Sequence, residues 1–209
     1  MMPNKTGTRM IVMKVIGITG GVGSGKSALL HAISQEYKCK LLFADDIAHF
    51  LKEPGQRCYE PLVFLLGKDI LDENGFLDRT KMADMIFGNA ALLELVNQIV
   101  HPAVKQYIIE CIEEERQKGQ VDFCFVEAAL FIEAGYRSLV DSLWYIYVAE
   151  DIRIQRLLEG RGYSLEKIYS IIKKQLQEEV FRAECDVVID NSGTMEETLK
   201  QVRLELTNK

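Results

Sequence analysis

Residues Gly20 to Ser27 read G-G-V-G-S-G-K-S, a full match to the phosphate-binding pattern G-x-x-x-x-G-K-[ST]. Nothing else in the chain restricts its fold as tightly. Gly20, Gly21, Gly23 and Gly25 permit backbone torsions that a Cβ would forbid. Successive N–H groups, Val22 and Ser24 included, can then turn into one concavity and hold phosphate oxygens. A helix starting near Lys26 adds its positive N-terminal end. Lys26 reaches the terminal phosphates, and the Ser27 hydroxyl is set to ligate Mg²⁺. The motif needs a strand before it and a helix after it. Lys14–Thr19 (K-V-I-G-I-T) reads as a short buried strand and Ala28–Ile33 (A-L-L-H-A-I) as a helix. A merely flexible glycine-rich turn would account for the glycines but not for the Lys-Ser register or the flanking elements. The loop predicts a bound nucleoside triphosphate.

With 209 residues the chain suits one α/β domain with insertions and a sizeable core. Its formal net charge of −6 speaks against broad contact with nucleic-acid phosphates. No apolar run reaches the length of a membrane span, so neither nucleic acid nor membrane is an expected partner. Cys39, Cys58, Cys111, Cys124 and Cys185 make no C-x-x-C pair and no metal-ligand spacing. Their odd number and scatter predict buried thiols in a reducing cytoplasm. Met1 to Arg9 is polar and lacks the apolar stretch of a signal peptide; it reads as a frayed tail, with Met10 or Met13 as alternative starts.

Strand-like runs alternate with helical ones, the pattern of a parallel sheet covered on both faces. A second strand, Leu41-Leu42-Phe43, ends at Ala44-Asp45-Asp46. From there to about Gly119 only helical periodicity is visible, through Tyr59–Leu66, Thr80–Phe87, Ala90–Val100 and Ala103–Lys118. Glu53-Pro54-Gly55, Glu73-Asn74-Gly75 and His101-Pro102 punctuate it. This stretch reads as a helical insertion. Strands resume at Val121–Val126, Ser142–Val148 and Asp186–Asp190. The charge-rich helical segment Asp151–Glu184, broken at Gly160-Arg161-Gly162-Tyr163, has the hinge and arginines of a mobile lid. Thr194–Leu206 closes the chain as an amphipathic helix.

Asp45 and Asp46 follow the second strand, at the carboxyl edge of the sheet where such folds bind ligands. A carboxylate there can accept a proton from an attacking hydroxyl or orient Mg²⁺ through water; Asp45 is assigned that task and Asp46 the cap of the next helix. Glu127 ends the third strand, where a metal-orienting carboxylate fits as well as a plain strand-terminal charge. Arg153, Arg156, Arg161 and Arg182 are candidates for stabilising a transferred phosphoryl group, and Arg156 and Arg161 flank the hinge. His49 and His101 lack metal-ligand spacing, and His101-Pro102 reads as a helix start. Asp72-Glu73-Asn74-Gly75 mimics the D-x-x-G of a GTPase switch but follows a helix, so it reads as a turn. No N-K-x-D guanine signature occurs.

From Lys14 to about Leu206 the chain resembles the dephospho-coenzyme A kinases. The resemblance rests on Ile16–Ser27, Ala44-Asp45-Asp46-Ile47-Ala48, Gly75-Phe76-Leu77-Asp78-Arg79, Ile99-Val100-His101-Pro102, Leu130-Phe131-Ile132-Glu133, Gln175 and Asp186–Gly193. The loop alone is generic; these matches in order are specific. They imply a P-loop kinase-like parallel sheet of about five strands flanked by helices, with a helical substrate-binding insertion and a lid. The nucleotide-binding core would take residues 13–50, 120–150 and 184–209, the substrate domain 51–119 and the lid 151–183. They also imply transfer of the γ-phosphate of ATP to the ribose 3′-hydroxyl of dephospho-coenzyme A, with Mg²⁺, by a monomer or small homo-oligomer. Asp45 matches the family's catalytic base, and Lys26 and Arg161 join it as catalytic residues. Gly20–Ser27 and Asn191 fall on the nucleotide, Arg79 and His101 on the acceptor, and Ser27 and Glu127 on the metal.

The chain departs from the family's pattern at several positions. Phe43 replaces the first aspartate of D-A-D, His49 the arginine after I-A, and Ala129 the proline of P-L-L-F-E, while Glu127 stands for the usual aspartate. Without gaps, the second lid arginine falls on Gly160, and Arg161 is one residue on, a turn of about 100° on a helix. These departures keep two alternatives in view: another small-molecule or nucleoside monophosphate kinase, and a catalytically weak nucleotide-sensing homologue.

Overall fold

The computed structural model describes residues 13–207; the polar segment Met1 to Arg9 and a start at Met10 lie outside them. Five strands, β1 (Lys14–Thr19), β2 (Cys39–Phe43), β3 (Phe123–Glu127), β4 (Ser142–Tyr147) and β5 (Val187–Asp190), form one sheet in the order β2-β3-β1-β4-β5. Every pairing is parallel. Parallel strands need crossovers that cover both faces, which is why their sequences are continuous apolar runs and do not alternate. In β1 only Lys14 escapes burial, and in β4 only Tyr147.

Nine α-helices occur among the described residues: α1 (Lys26–Glu36), α2 (Ala44–Phe50), α3 (Tyr59–Leu66), α4 (Arg79–Ile86), α5 (Ala90–Lys118), α6 (Glu150–Arg161), α7 (Leu165–Lys174), α8 (Glu178–Glu184) and α9 (Met195–Thr207). Two cores result. Ile16, Ile18, Phe125, Trp144 and Ile146 face Leu29, Leu30 and Ile33 of α1 and Leu199 and Val202 of α9. On the opposite face Val15, Leu42, Val126 and Leu143 pack with Ile47, Leu62, Val104, Ile108 and Ile112 from the helices that follow β2. Between β2 and β3 the described chain adds no strand to the sheet; its one bridge joins Leu71 to Leu77. The turn between those leucines is Asp72-Glu73-Asn74-Gly75, and Asp72 Oδ1 accepts the N–H of Asn74 and of Phe76 at 2.9 Å each. That is an Asx-type turn, not a nucleotide switch.

The expected break at His101-Pro102 does not occur. Helix α5 runs unbroken from Ala90 to Lys118 with Pro102 inside it. A proline there removes one backbone donor, but the buried positions Val96, Val104, Ile108 and Ile112 keep a four-residue spacing through it. Packing of that single stripe against α2, α3 and β3 outweighs the lost bond.

At the centre of the sheet the packing tolerates no extra atom. A Cβ on Gly17 would stand 2.6 Å from Phe131 Cζ and 2.8 Å from Leu143 Cδ1. Phe131 itself is fully buried, edge-on to Tyr136, so it cannot swing aside. We expect Gly17→Ala to lower stability by about 1–3 kcal/mol through overpacking, read as a lower urea midpoint at unchanged m-value. An unaltered midpoint would mean that Phe131 repacks freely.

Candidate active site

Strand β3 lies between β1 and β2, so Glu127 sits in register with Ile18 on one side and Phe43 on the other. The loop after β1, the carboxylate ending β3 and the first turn of α2 therefore meet at one edge of the sheet. This is the carboxyl edge, at the point where the chain reverses its strand order.

The loop is a wrapped chain with no room for side chains on its inner face. Gly25, at φ +80°, caps α1 in the left-handed region, and a Cβ there would lie 2.6 Å from Asn191 Nδ2. A Cβ on Gly21 would strike the Arg153 guanidinium, 2.5 Å from Nη2. Lys26 is folded into this cradle, where Nζ donates to the carbonyls of Gly20 (2.8 Å) and Gly21 (3.4 Å) and lies 3.6 Å from Glu127 Oε1. Burial pulls the Lys26 pKa down, and Glu127 opposes that shift. Burial likewise pushes the Glu127 carboxyl up, Lys26 opposes it, and the nearby Asp45 carboxylate adds to it. Two buried hydroxyls at the loop, Thr19 Oγ1 and Ser24 Oγ, have no hydrogen-bond partner among the described residues.

Side chains from later elements fix the loop from outside. Asn191, buried after β5, donates through Nδ2 to the Ser24 carbonyl at 2.8 Å and accepts at Oδ1 from Thr198 Oγ1 at 2.9 Å. Arg156 Nη2 donates to the Asn191 carbonyl at 2.9 Å. Val22 is gripped at both ends of its backbone. Arg153 Nε donates to its carbonyl at 3.2 Å, and its N–H donates to Gln175 Oε1 at 3.3 Å. Arg153 Nη2 closes the ring to that same Gln175 oxygen at 2.8 Å.

On the other side of Asp45 is a depression lined by Ala48, His101, Val104, Leu130 and Tyr136. A second, more basic pocket is lined by His49, Lys52, Phe76, Leu77, Arg79 and Met82. Asp78 sets Arg79 there as the first residue of α4, because its carboxylate caps the helix by accepting from Thr80 N (2.8 Å) and Lys81 N (3.1 Å).

A family model described as dephospho-CoA kinase matches residues 14–197. The chain belongs to the dephospho-CoA kinase family. It is 38% identical over 92% of its length to a dephospho-CoA kinase of Carboxydothermus hydrogenoformans, covering 93% of that protein. With a dephospho-CoA kinase of Geobacillus kaustophilus it shares 36% over 90% of its length and 92% of the relative's. Among solved structures it is similar to TT1252 from Thermus thermophilus (TM-score 0.76, 27% identity, 93% of this chain and 98% of that one). A shikimate kinase of Acinetobacter baumannii (TM-score 0.52, 14% identity, 96% and 97%) shares the fold alone. Membership makes this chain an ATP-dependent kinase that acts on a small molecule, which favours the dephospho-CoA kinase reading over another kinase or a sensing homologue.

Several residues singled out from sequence sit together in this dephospho-CoA kinase family member. Gly20–Ser27, Asn191, Glu127 and Asp45 surround one opening, and His101 and Arg79 line the pockets beside it. Asp46 is not a cap: the N-cap of α2 is Phe43, and Asp46 is the third residue of the first turn. Gly160 is no hinge. It lies inside α6, which ends at Gly162 with φ +61°. Arg161, the last residue of α6, is exposed, with its guanidinium 6.0 Å from the Tyr163 ring centre, and no bond joins it to the loop in this structure. The arginines brought to the loop are Arg153 and Arg156, while Arg182 pairs with Glu178 at 2.6 Å. The Arg153–Gln175 clamp and the Thr198 buttress carry no short-range sequence signal; only the resemblance had picked out Gln175.

Asn191→Ala removes the bond to the Ser24 carbonyl and the shortest of the bonds made by the Thr198 hydroxyl. We expect it to lower stability by about 1–3 kcal/mol and to raise KM for ATP. Thermal melting and steady-state kinetics read the two effects, and an ATP KM equal to the parent's would show that this bond does not shape the loop.

Proposed function

We propose that the protein transfers the γ-phosphate of ATP to the 3′-hydroxyl of the ribose of dephospho-CoA, yielding coenzyme A, in the cytoplasm. The observation that carries the reading is the placement of Asp45. It is an exposed carboxylate at the start of α2 whose field acts on both Lys26 and Glu127. It thus stands at the mouth of the loop and lines, together with His101, the depression beside it.

In this reading Gly20–Ser27 and Asn191 hold the nucleotide. The backbone N–H groups and the N-terminus of α1 cradle phosphate oxygens, and Lys26 exchanges its loop carbonyls for the terminal phosphates. Phosphoryl transfer has a loose transition state, so positioning and charge stabilisation dominate. Asp45 orients the attacking hydroxyl and accepts its proton, while Arg79 and His101 hold the acceptor. Residues 51–119 serve as the acceptor domain and 151–183 as the lid, with Arg161 reaching the phosphates only after the lid closes. The donors also suit Mg²⁺, a hard cation that binds few carboxylates besides phosphate oxygens. The Ser27 hydroxyl is exposed on the first turn of α1, and the Glu127 and Asp45 carboxylates raise each other's energy across the opening. When bound, the ion neutralises charge on the phosphates.

Release of ADP, coupled to an optical readout, should proceed with ATP and dephospho-CoA and be weaker with GTP. Lys26→Ala is expected to cut kcat/KM by about 10²-fold or more. Asp45→Asn should lower kcat by roughly 10²–10⁴-fold with ATP binding retained; full activity in that variant would remove Asp45 from the base role.

A further inference from the structure

The basic pocket beside Asp45 places two side chains that the reaction as described does not yet use, His49 and Lys52, beside the acceptor residue Arg79. Three cationic or titratable side chains from two elements converge there. His49 comes from α2, Lys52 from the turn after it and Arg79 from the N-terminus of α4, with Phe76, Leu77 and Met82 forming apolar walls. Among the described residues none of the three forms a salt bridge with a carboxylate, although Glu53 also lines the pocket. Like charges held together without partners cost free energy, and a site that keeps them is complementary to an anion.

The position of the pocket selects the anion. Asp45 and His49 are four residues apart on α2, so both project from one face, with Cβ atoms about 5–6 Å apart. A ribose whose 3′-hydroxyl lies at Asp45 carries its 5′-substituent one short carbon link away. In dephospho-CoA that substituent is a diphosphate, the most highly charged part of the acceptor.

We propose that His49, Lys52 and Arg79 form the subsite for the acceptor's diphosphate, and that His49 enters it as an imidazolium, so that acceptor binding takes up a proton. The proposal rests on the reaction given above. Arg79 is fork-shaped and permanently charged, suited to bridging phosphate oxygens; Lys52 adds a point charge. His49 alone can switch its charge near neutrality.

The groups around His49 set the direction of the effect. Partial burial, then Lys52 and Arg79, hold its pKa below the usual histidine value, while Asp45 and Asp46 on its own helix act in the opposite sense. α5, packed against α2, brings to this side His101, which lines the neighbouring depression with Asp45, and Tyr107, whose ring meets Phe50. Burial and Arg79 likewise lower the Lys52 pKa. In the free protein His49 is therefore neutral near pH 7. A bound diphosphate raises its pKa, so affinity is highest below the free value and is lost as pH rises through the bound one.

Steady-state kinetics from about pH 6 to pH 8, with dephospho-CoA and ATP varied separately, test this directly. The KM for dephospho-CoA should climb several-fold across that range while the KM for ATP stays level. His49→Arg should hold the acceptor KM low and flat, and His49→Gln should hold it high and flat. Lys52→Ala and Arg79→Ala should each raise it roughly tenfold or more, leaving the ATP KM unchanged. A level acceptor KM in the parent, or a His49→Arg profile that still rises with pH, overturns the subsite while leaving the reaction intact. Absence of dephospho-CoA phosphorylation at every pH, with ADP release on another acceptor, overturns the reaction and the subsite with it.

Discussion

A single buried ammonium organises the catalytic edge of this molecule. Lys26 is withdrawn from solvent, and an unpaired charge there would carry a large desolvation penalty. The fold answers with two loop carbonyls and one carboxylate, and those partners dictate much else. Gly20 and Gly21 can occupy the places from which their carbonyls reach Lys26 because a Cβ on either would strike the Ile146 carbonyl or the Arg153 guanidinium. The carboxylate of Glu127 can arrive only if β3 is inserted between β1 and β2. Sheet order and loop composition are thus tied to housing one charge.

The same edge divides into a tightly built half and an open half. Around the nucleotide loop every support is a short bond to a buried or half-buried group, from Asn191, Thr198, Arg153, Arg156 and Gln175. On the acceptor side Asp45, His49 and Arg79 are exposed on short helices, and their alignment depends on local devices such as the Asp78 cap and the Asp72 turn. This contrast suits a kinase that must hold one ligand class rigidly and admit a larger, longer one.

Much of this was legible in the sequence wherever the signal is local. The first strand and Tyr59–Leu66 were read with the boundaries that the structure has, and the remaining strands were found to within two residues at either end. Apolar runs and glycine spacing encode such elements directly. The errors share one cause. Pro102 looked like a helix boundary because proline breaks helices locally, yet the stripe from Val96 to Ile112 is packed by three other elements. Asp46 looked like a cap, but β2 runs straight into α2, so the extended N-cap residue is Phe43, whose side chain has no acceptor to offer. The break read at Gly160–Tyr163 does fall there, but Gly160 itself is still helical and the residue whose backbone turns left-handed is Gly162. The bonds that Arg153, Gln175 and Thr198 make could not be read because their partners lie 131, 153 and 7 residues away, and nothing nearby in the chain announces them.

The grip on Val22 has a further meaning. A peptide group held at its carbonyl by Arg153 and at its N–H by Gln175 has lost its rotational freedom before any ligand arrives. The entropy of ordering the loop tip is thereby charged to folding and not to nucleotide capture, which is how preorganisation strengthens binding without adding a contact. Arg153 lies near the start of the 151–183 segment and Gln175 near its end. The tip of the phosphate loop is in effect stitched to both banks of the segment above it, so the two cannot be tuned independently by mutation.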